Sequence, residues 1–320
     1  MKHEDESLFL PYIEEMLDFK VSLGYQRHTY EGFLRDFSRF CRVNYPKEDR
    51  LTMELVYAWA VRRPTESQSG FRRRLTPLRE FGKYLNAIGI ESYVIPSNFS
   101  GGRSSFTPYI FTDEELIAIF TETDRLKRNK NTPNRHIIVP ALLRMIYFCG
   151  LRPNEGREIK KSDVDLDSGT LFIRKNKAHR ERIVPMSDDL RNFCINYNEK
   201  LKIFSPKSEY FFPNPDDIPY SAKWLTRQFL SIWERVQPVQ SSRRVRVYDL
   251  RHRFASAVMM NWLNEGVDLY AKLPYLSTYM GHAKFSDTAY YIHLLPANLT
   301  RSKAVDWNSF SALIPEVSPW

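Results

Sequence analysis

Apolar side chains recur every three or four residues through the first hundred positions: Phe9, Ile13, Met16 and Leu17, then Phe33, Phe37 and Phe40, then Leu55, Ala58 and Trp59, then Leu75, Leu78, Phe81 and Leu85. That spacing is the period of a helix with one buried face, so four helices joined by short connections are expected here. The pattern breaks at residues 96–108, a stretch rich in Ser, Gly and Pro with a single charge, which reads as a linker. Beyond it, Thr112 followed by Asp113, Glu114 and Glu115 has the form of a capped helix start, with acidic side chains at the positive end of the dipole. Thr132 and Pro133 open a strongly apolar run that ends at Gly150, and its length predicts a buried central helix, kinked or started at Pro140. Two short β-prone runs, 171–173 and 182–184, flank a basic polar turn and predict a hairpin with a positive tip. Helical spacing resumes from Asp188, interrupted by loops around 205–220 and 237–242.

A length of 320 residues allows two domains, each with its own core, and 42% hydrophobic with 14% aromatic residues excludes a disordered chain. No apolar run reaches the roughly 18 residues of a membrane span. The opening MKHEDESLFL is acidic and lacks the layout of a signal peptide, so a soluble intracellular protein is expected. Cys41, Cys149 and Cys194 are odd in number and widely spaced, which points to reduced, buried thiols rather than a disulfide framework. There is no H-E-x-x-H, no zinc-type cysteine pair, no P-loop and no G-x-G-x-x-G, so neither a metal nor a cofactor is expected.

Charge adds a partner to this picture through its placement. Lys and Arg total 47 against 38 Asp and Glu, a net +9 that suits either a polyanion partner or a solvated surface. Residues 1–100 hold 15 basic and 14 acidic side chains, leaving +8 for the remainder. In the first region Arg72, Arg73, Arg74, Arg79 and Lys83 flank the apolar stripe of the fourth helix as candidate phosphate contacts. In the second, Lys175, Lys177 and Arg180 cluster at the hairpin tip, and Arg243 and Arg244 lead into a later helix.

Three further segments place cations where a chain turns. Arg152 emerges just after the helix that ends at Gly150, within Gly150-Leu151-Arg152-Pro153-Asn154-Glu155. In Tyr248-Asp249-Leu250-Arg251-His252, Asp249 is a plausible N-cap. That would put Arg251 and His252 in a first helical turn, where free N–H groups and the dipole favour an anion, and Arg251 would add a bidentate fork. A helix ends at Gly281, His282 follows, and another begins near Ser286 with Tyr290 and Tyr291 one turn in.

The order and spacing of these segments, Gly-Leu-Arg-x-x-Glu, a hairpin lysine, Asp-Leu-Arg-His and Met-Gly-His followed nine residues later by Tyr, resemble the tyrosine recombinase (phage integrase) family. The resemblance covers about 109–294 through its motifs and extends more weakly to SGFRRRLTPLREFGKYL, which looks like the last helix of a core-binding domain. It implies catalytic arginines at Arg152 and Arg251, the hairpin lysine at Lys177 with Lys175 as fallback, the late histidine at His282 and the nucleophile at Tyr291 rather than Tyr290. Glu155 falls on an acidic position usually read as structural, and His252 on a histidine that often follows the second arginine. Tyr248 departs from the pattern: the family commonly has histidine there, and tyrosine is a poor base at neutral pH. For Tyr248 the remaining role is a hydrogen bond to phosphate.

The implied fold class is mainly α: a helical, SAM-like core-binding domain over 1–98, a linker over 99–108 and an α+β catalytic domain over 109–302, mostly helical with a small antiparallel sheet. A tail, 303–320, carries Val305, Trp307, Phe310, Leu313 and Ile314 and would pack in cis or dock on a neighbour. The implied function is site-specific DNA recombination through a 3′-phosphotyrosyl intermediate and a Holliday junction, without metal, ATP or another cofactor. The implied partners are double-stranded DNA and further copies of the chain in a tetrameric synapse, with no membrane, in the cytoplasm with the nucleoid. Two alternatives stand beside it: a non-catalytic DNA-binding accessory protein that kept the fold, and a type IB topoisomerase-like enzyme.

Overall fold

A computed structural model describes residues 7–101, 107–130, 132–174, 181–236 and 244–294. The chain divides into two compact units, Met1–Phe106 and Thr107–Trp320.

The first unit is built on four helices: α1 (Leu10–Ser22), α2 (His28–Asn44), α3 (Met53–Trp59) and α4 (Gln68–Ala87). Side-chain oxygens of Thr52 and Ser67 accept the orphan N–H groups of Leu55 and Gly70, which is why α3 and α4 start where they do. Phe9, Phe37, Phe81 and Trp59 meet in one aromatic centre, with Phe9 edge-on to Phe81 at 6.2 Å. On α2 the buried face runs through Tyr30, Leu34, Phe37 and Cys41. Phe33 and Phe40, expected on that stripe, only border it, because Leu34 and Cys41 complete the helical period with Phe37.

The second unit begins with α5 (Asp113–Asp124), closed by a capping box in which Thr112 and Glu115 exchange bonds. Next comes α6 (Arg135–Phe148), whose Ile138, Val139, Leu142, Leu143, Met145 and Ile146 form the middle of the core. Pro140 lies inside this helix, which starts five residues earlier, at Arg135. Its end is set by Gly150 at φ +57°, where a Cβ would come within 2.4 Å of the Phe254 ring. The chain turns at once into α7 (Pro153–Glu158), with proline in the first helical position.

A three-stranded antiparallel sheet follows: β1 (Val164–Asp165), β2 (Thr170–Ile173) and β3 (Arg182–Pro185). Leu171 pairs with Val184 and Ile173 with Arg182, so the core-facing positions of the two longer strands lie side by side. Then come α8 (Asp188–Phe204), α9 (Ala222–Val236), α10 (Val247–Asn264), α11 (Leu269–Met280) and the single turn α12 (Ser286–Ala289), which passes into a 3-10 segment, Tyr290–Leu294. Asp249 is not the N-cap of α10. Arg246 holds that position, and Asp249 is the third helical residue, accepting the Arg246 N–H at 2.8 Å. Arg251 and His252 therefore lie beyond the first turn, and α10's free N–H groups are not beside them. A satellite core of Ala255, Met259, Leu273, Leu276, Met280 and Tyr291 joins α10, α11 and the 3-10 segment. Among the described residues, no helix is long and apolar enough to cross a membrane.

Candidate active site

Two helix ends make the frame. Both α6 and α11 stop at a glycine in the left-handed region, Gly150 at φ +57° and Gly281 at φ +63°, so their last carbonyls point outward near one another. Helix C-termini carry partial negative charge and attract cations. Arg251, with no exposed surface at all, donates from Nη1 to the Gly150 carbonyl at 2.6 Å and from Nη2 to the Met280 carbonyl at 2.5 Å. Arg152 makes the reciprocal link, donating from Nη2 to the Gly281 carbonyl at 2.8 Å. Between them the two arginines lace together helix ends that lie more than a hundred residues apart in sequence.

Glu155 is the counter-charge. Its carboxylate accepts the Arg152 N–H at 2.8 Å and Arg152 Nη1 at 2.7 Å, takes both Nη1 and Nη2 of Arg182 at 3.0 and 2.8 Å, and lies 3.8 Å from Arg251. Burial pushes the carboxyl up, but the bonds from Arg182 and Arg152 outweigh it and bring it down to about 2. Arg182 also donates from Nε to the Tyr279 carbonyl at 2.8 Å, tying β3 to the end of α11. In the sequence pattern Arg182 figures only as the start of a strand. The available signal is alternation: Arg182 shares its face with the buried Val184, while Ile183 between them is exposed.

His282 stands directly after the Gly281 cap. Its Nε2 lies 3.1 Å from Arg251 Nη2 and its Nδ1 lies 2.7 Å from Thr288 Oγ1. An arginine can only donate, so Nε2 accepts and the ring proton sits on Nδ1, facing Thr288. Burial, then Arg251 and Arg152, lower this imidazole to about 3, which keeps it neutral. Tyr291 stacks on His282 with ring centres 6.1 Å apart and planes 17° apart, and is only 2% exposed. Burial drives its hydroxyl up to about 12 against the opposing pull of Arg251. Tyr290 is 37% exposed and meets Tyr291 edge-on. Tyr248 sits 5.0 Å from the His252 ring and, with Arg152, lines a cleft of about 770 Å³ whose walls include Asn154, Lys160, Phe172 and Arg174.

The structure thus brings Arg152, Tyr248, Arg251, His282 and Tyr291 into one neighbourhood. Lys177, with Lys175, Arg180 and Arg243, lies outside the described residues, as does the tail 303–320. Of the candidate phosphate contacts on α4, Arg74 is corrected. It is 2% exposed, pairs with Glu66 and donates to the Trp59 and Val61 carbonyls, so it clamps the α3–α4 connection and has no face for DNA. Arg79 is half-buried and donates from Nε and Nη2 to the Ile95 and Pro96 carbonyls at 2.8 and 2.9 Å. Arg73, Lys83 and Arg244 are exposed and Arg72 is half-buried, with Lys83 also paired to Glu80. Among the described residues, no group of three His, Cys, Asp or Glu side chains has the arrangement to hold a metal.

The profile of the phage integrase family matches residues 111–298, the stretch that contains this whole constellation. The integrase/recombinase y4rE of Sinorhizobium fredii is 30% identical over 284 residues, 88% of this chain and 90% of the relative. The chain belongs to the phage integrase family. Tyrosine recombinase XerC of Staphylococcus carnosus is 25% identical over 86% of this chain and 89% of its own. The fold matches the XerH site-specific recombinase bound to its palindromic difH substrate, with a TM-score of 0.68 at 19% identity, covering 92% of this chain and 84% of that one. This integrase-family chain is accordingly a site-specific recombinase of the tyrosine type.

The recombinase's buried neutral histidines set its acid stability. His252 is lowered to about 4 by burial, Arg246 and Arg251, and His282 to about 3, both from an ordinary 6.5. The unfolded chain therefore takes up these protons first, so stability is full above pH 6.5 and declines as pH falls below it. Glu155, depressed to about 2, adds a further loss only below about pH 4.5, as the unfolded carboxyl protonates. Each pH unit that separates a group's folded from its unfolded titration is worth about 1.4 kcal/mol. The protein should therefore lose about 3 kcal/mol for each histidine, about 6 together, between pH 6.5 and 4. Urea midpoints measured across that range check this, and a protein carrying both His252→Gln and His282→Gln should show a flat profile until the carboxylate range.

Proposed function

We propose that this recombinase opens and reseals duplex DNA with Tyr291 as nucleophile, Arg152, Arg251 and His282 around the scissile phosphate, and Lys177 as the acid for the leaving oxygen. The observation that carries the reading is convergence. Side chains from the α6–α7 turn, α10, the Gly281 loop and the 3-10 segment meet around Arg251, with Tyr291 stacked on His282. In-line attack by the Tyr291 oxygen forms a 3′-phosphotyrosyl ester while the 5′-oxygen leaves, and attack by a new 5′-hydroxyl reverses it. The ester stores the bond, so resealing needs no ATP. The two guanidiniums neutralise the charge that grows on the non-bridging oxygens. Both guanidiniums are held by helix-end carbonyls and Arg152 also by Glu155, so phosphate oxygens would share donors that the frame already orients.

Duplex DNA is the partner, held through phosphates by Arg72, Arg73, Lys83 and Arg244 and by Lys175, Arg180 and Arg243. Four protomers assemble on two sites and pass through a Holliday junction, with the tail docking on a neighbour, in the cytoplasm on nucleoid DNA. The test is single-turnover incubation with nicked duplexes tiled across the DNA that flanks the gene. A denaturation-resistant adduct whose DNA-linked peptide contains Tyr291 is expected. Tight binding to these duplexes with no adduct on any of them would instead support an accessory DNA-binding protein.

A further inference from the structure

We infer that His252 is the catalytic base of this recombinase, taking the phenolic proton of Tyr291 during cleavage and returning it during resealing; this rests on the reading that Tyr291 is the nucleophile. The geometry is direct: His252 Nδ1 lies 3.2 Å from Tyr291 Oη, with ring centres 5.5 Å apart. The other described groups around Tyr291 fail as bases for separate reasons. Arg152 and Arg251 only donate. His282 has Nε2 occupied by an Arg251 donor and Nδ1 protonated toward Thr288. Tyr248, standing where a histidine would supply a base, has none of its basicity at neutral pH.

His252 also has the right form to accept. The groups that face it are Tyr248 and Arg251 on α10, Arg246 at its N-cap, His282 after α11 and Tyr291 on the 3-10 segment. Burial and the two arginines keep its imidazole neutral through the physiological range, and in the Nε2–H tautomer the Nδ1 lone pair faces the phenolic hydrogen. A free tyrosine proton at about 12 would be costly to remove beforehand. Transfer concerted with attack removes that difficulty, because the phenolic oxygen becomes strongly acidic as its bond to phosphorus forms. The step balances: the Oη–H bond breaks toward Nδ1, Oη–P forms, P–O5′ breaks, and the 5′-oxygen takes its proton from a separate acid. The imidazolium left on His252 then protonates Oη when the 5′-hydroxyl attacks.

The experiment is single-turnover cleavage of a nicked duplex by full-length protein over pH 6 to 9. His252→Gln, which keeps a polar side chain of similar length, should cleave on the order of a hundredfold or more slower at pH 7, with a rate that rises about tenfold per pH unit as hydroxide replaces the base, while the parent stays flat. DNA affinity should change less than about twofold. His252→Ala should regain activity when imidazole is added, which a packing defect would not. A His252→Gln protein within about threefold of the parent, or a loss that is independent of pH and not rescued by imidazole, overturns the inference alone. A parent adduct that maps to a residue other than Tyr291 overturns the nucleophile reading, and this inference with it.

Discussion

Replacing Tyr291 by Phe should abolish the covalent DNA adduct while leaving DNA affinity within about twofold of the parent. The ring, not the hydroxyl, does the packing: it sits in the cluster of Ala255, Met259, Leu273, Leu276 and Met280 and stacks on His282, and all of this survives in phenylalanine. What disappears is the oxygen that the proposed reaction turns into the phosphate ester, and no neighbouring group can supply it from the same place. Tyr290, the adjacent candidate, is 37% exposed on a different side of the segment, so Tyr290→Phe should keep the adduct. The stability cost of Tyr291→Phe is the loss of the hydroxyl's hydrogen bonds to His252 and Arg251, about 1–3 kcal/mol. Denaturing gels of the nicked-duplex reaction, run beside a binding titration, separate the outcomes: an adduct in Tyr291→Phe would remove Tyr291 from the nucleophile's role, and a large loss of affinity would make it a DNA contact.

How far such assignments are legible in the sequence depends on whether the controlling interaction is local. Helix starts with an oxygen side chain beside the apolar period, as at Thr112, can be placed to the residue, because cap and partner lie three positions apart. Gly150 and Gly281 can be marked as helix ends because only a left-handed cap calls for glycine there. By contrast β1 spans two residues, too few for alternation to register. Asp249 has the residue type of an N-cap, but it fills the third helical position of a box whose cap is an arginine, a pairing that residue preference ranks low. Arg74 resembles its neighbours on α4 because one-dimensional charge does not tell a guanidinium facing Glu66 and two carbonyls from one facing water. The family motifs locate Arg152, Arg251, His282 and Tyr291, but the motifs are silent about what holds these residues in place. The holders are backbone carbonyls of Gly150, Met280 and Gly281, contributed by segments distant from the arginines they hold, together with Arg182, which grips Glu155, and Thr288, six residues after His282.

That carbonyl frame gives Arg251 a second expected result, in which stability and chemistry fall together but by different amounts. Arg251→Met leaves two helix-end carbonyls and His282 Nε2 without their buried donor, and each buried polar group so orphaned costs about 1–3 kcal/mol. Arg251→Lys retains the charge but not the planar fork. A single ammonium cannot reproduce two in-plane bonds diverging to Gly150 and Met280, so an intermediate loss of stability is expected. Cleavage should suffer more than folding in the lysine protein. Removing one preorganised donor from a developing oxyanion costs about a hundredfold to a thousandfold in rate. If the lysine protein remains mostly folded by urea titration yet cleaves the nicked duplex at least a hundredfold more slowly, Arg251 serves both the frame and the phosphate. If its rate falls only in proportion to the folded fraction, Arg251 is a strut between two helix ends, and the charge on the phosphate must be met by Arg152 and the hairpin cations.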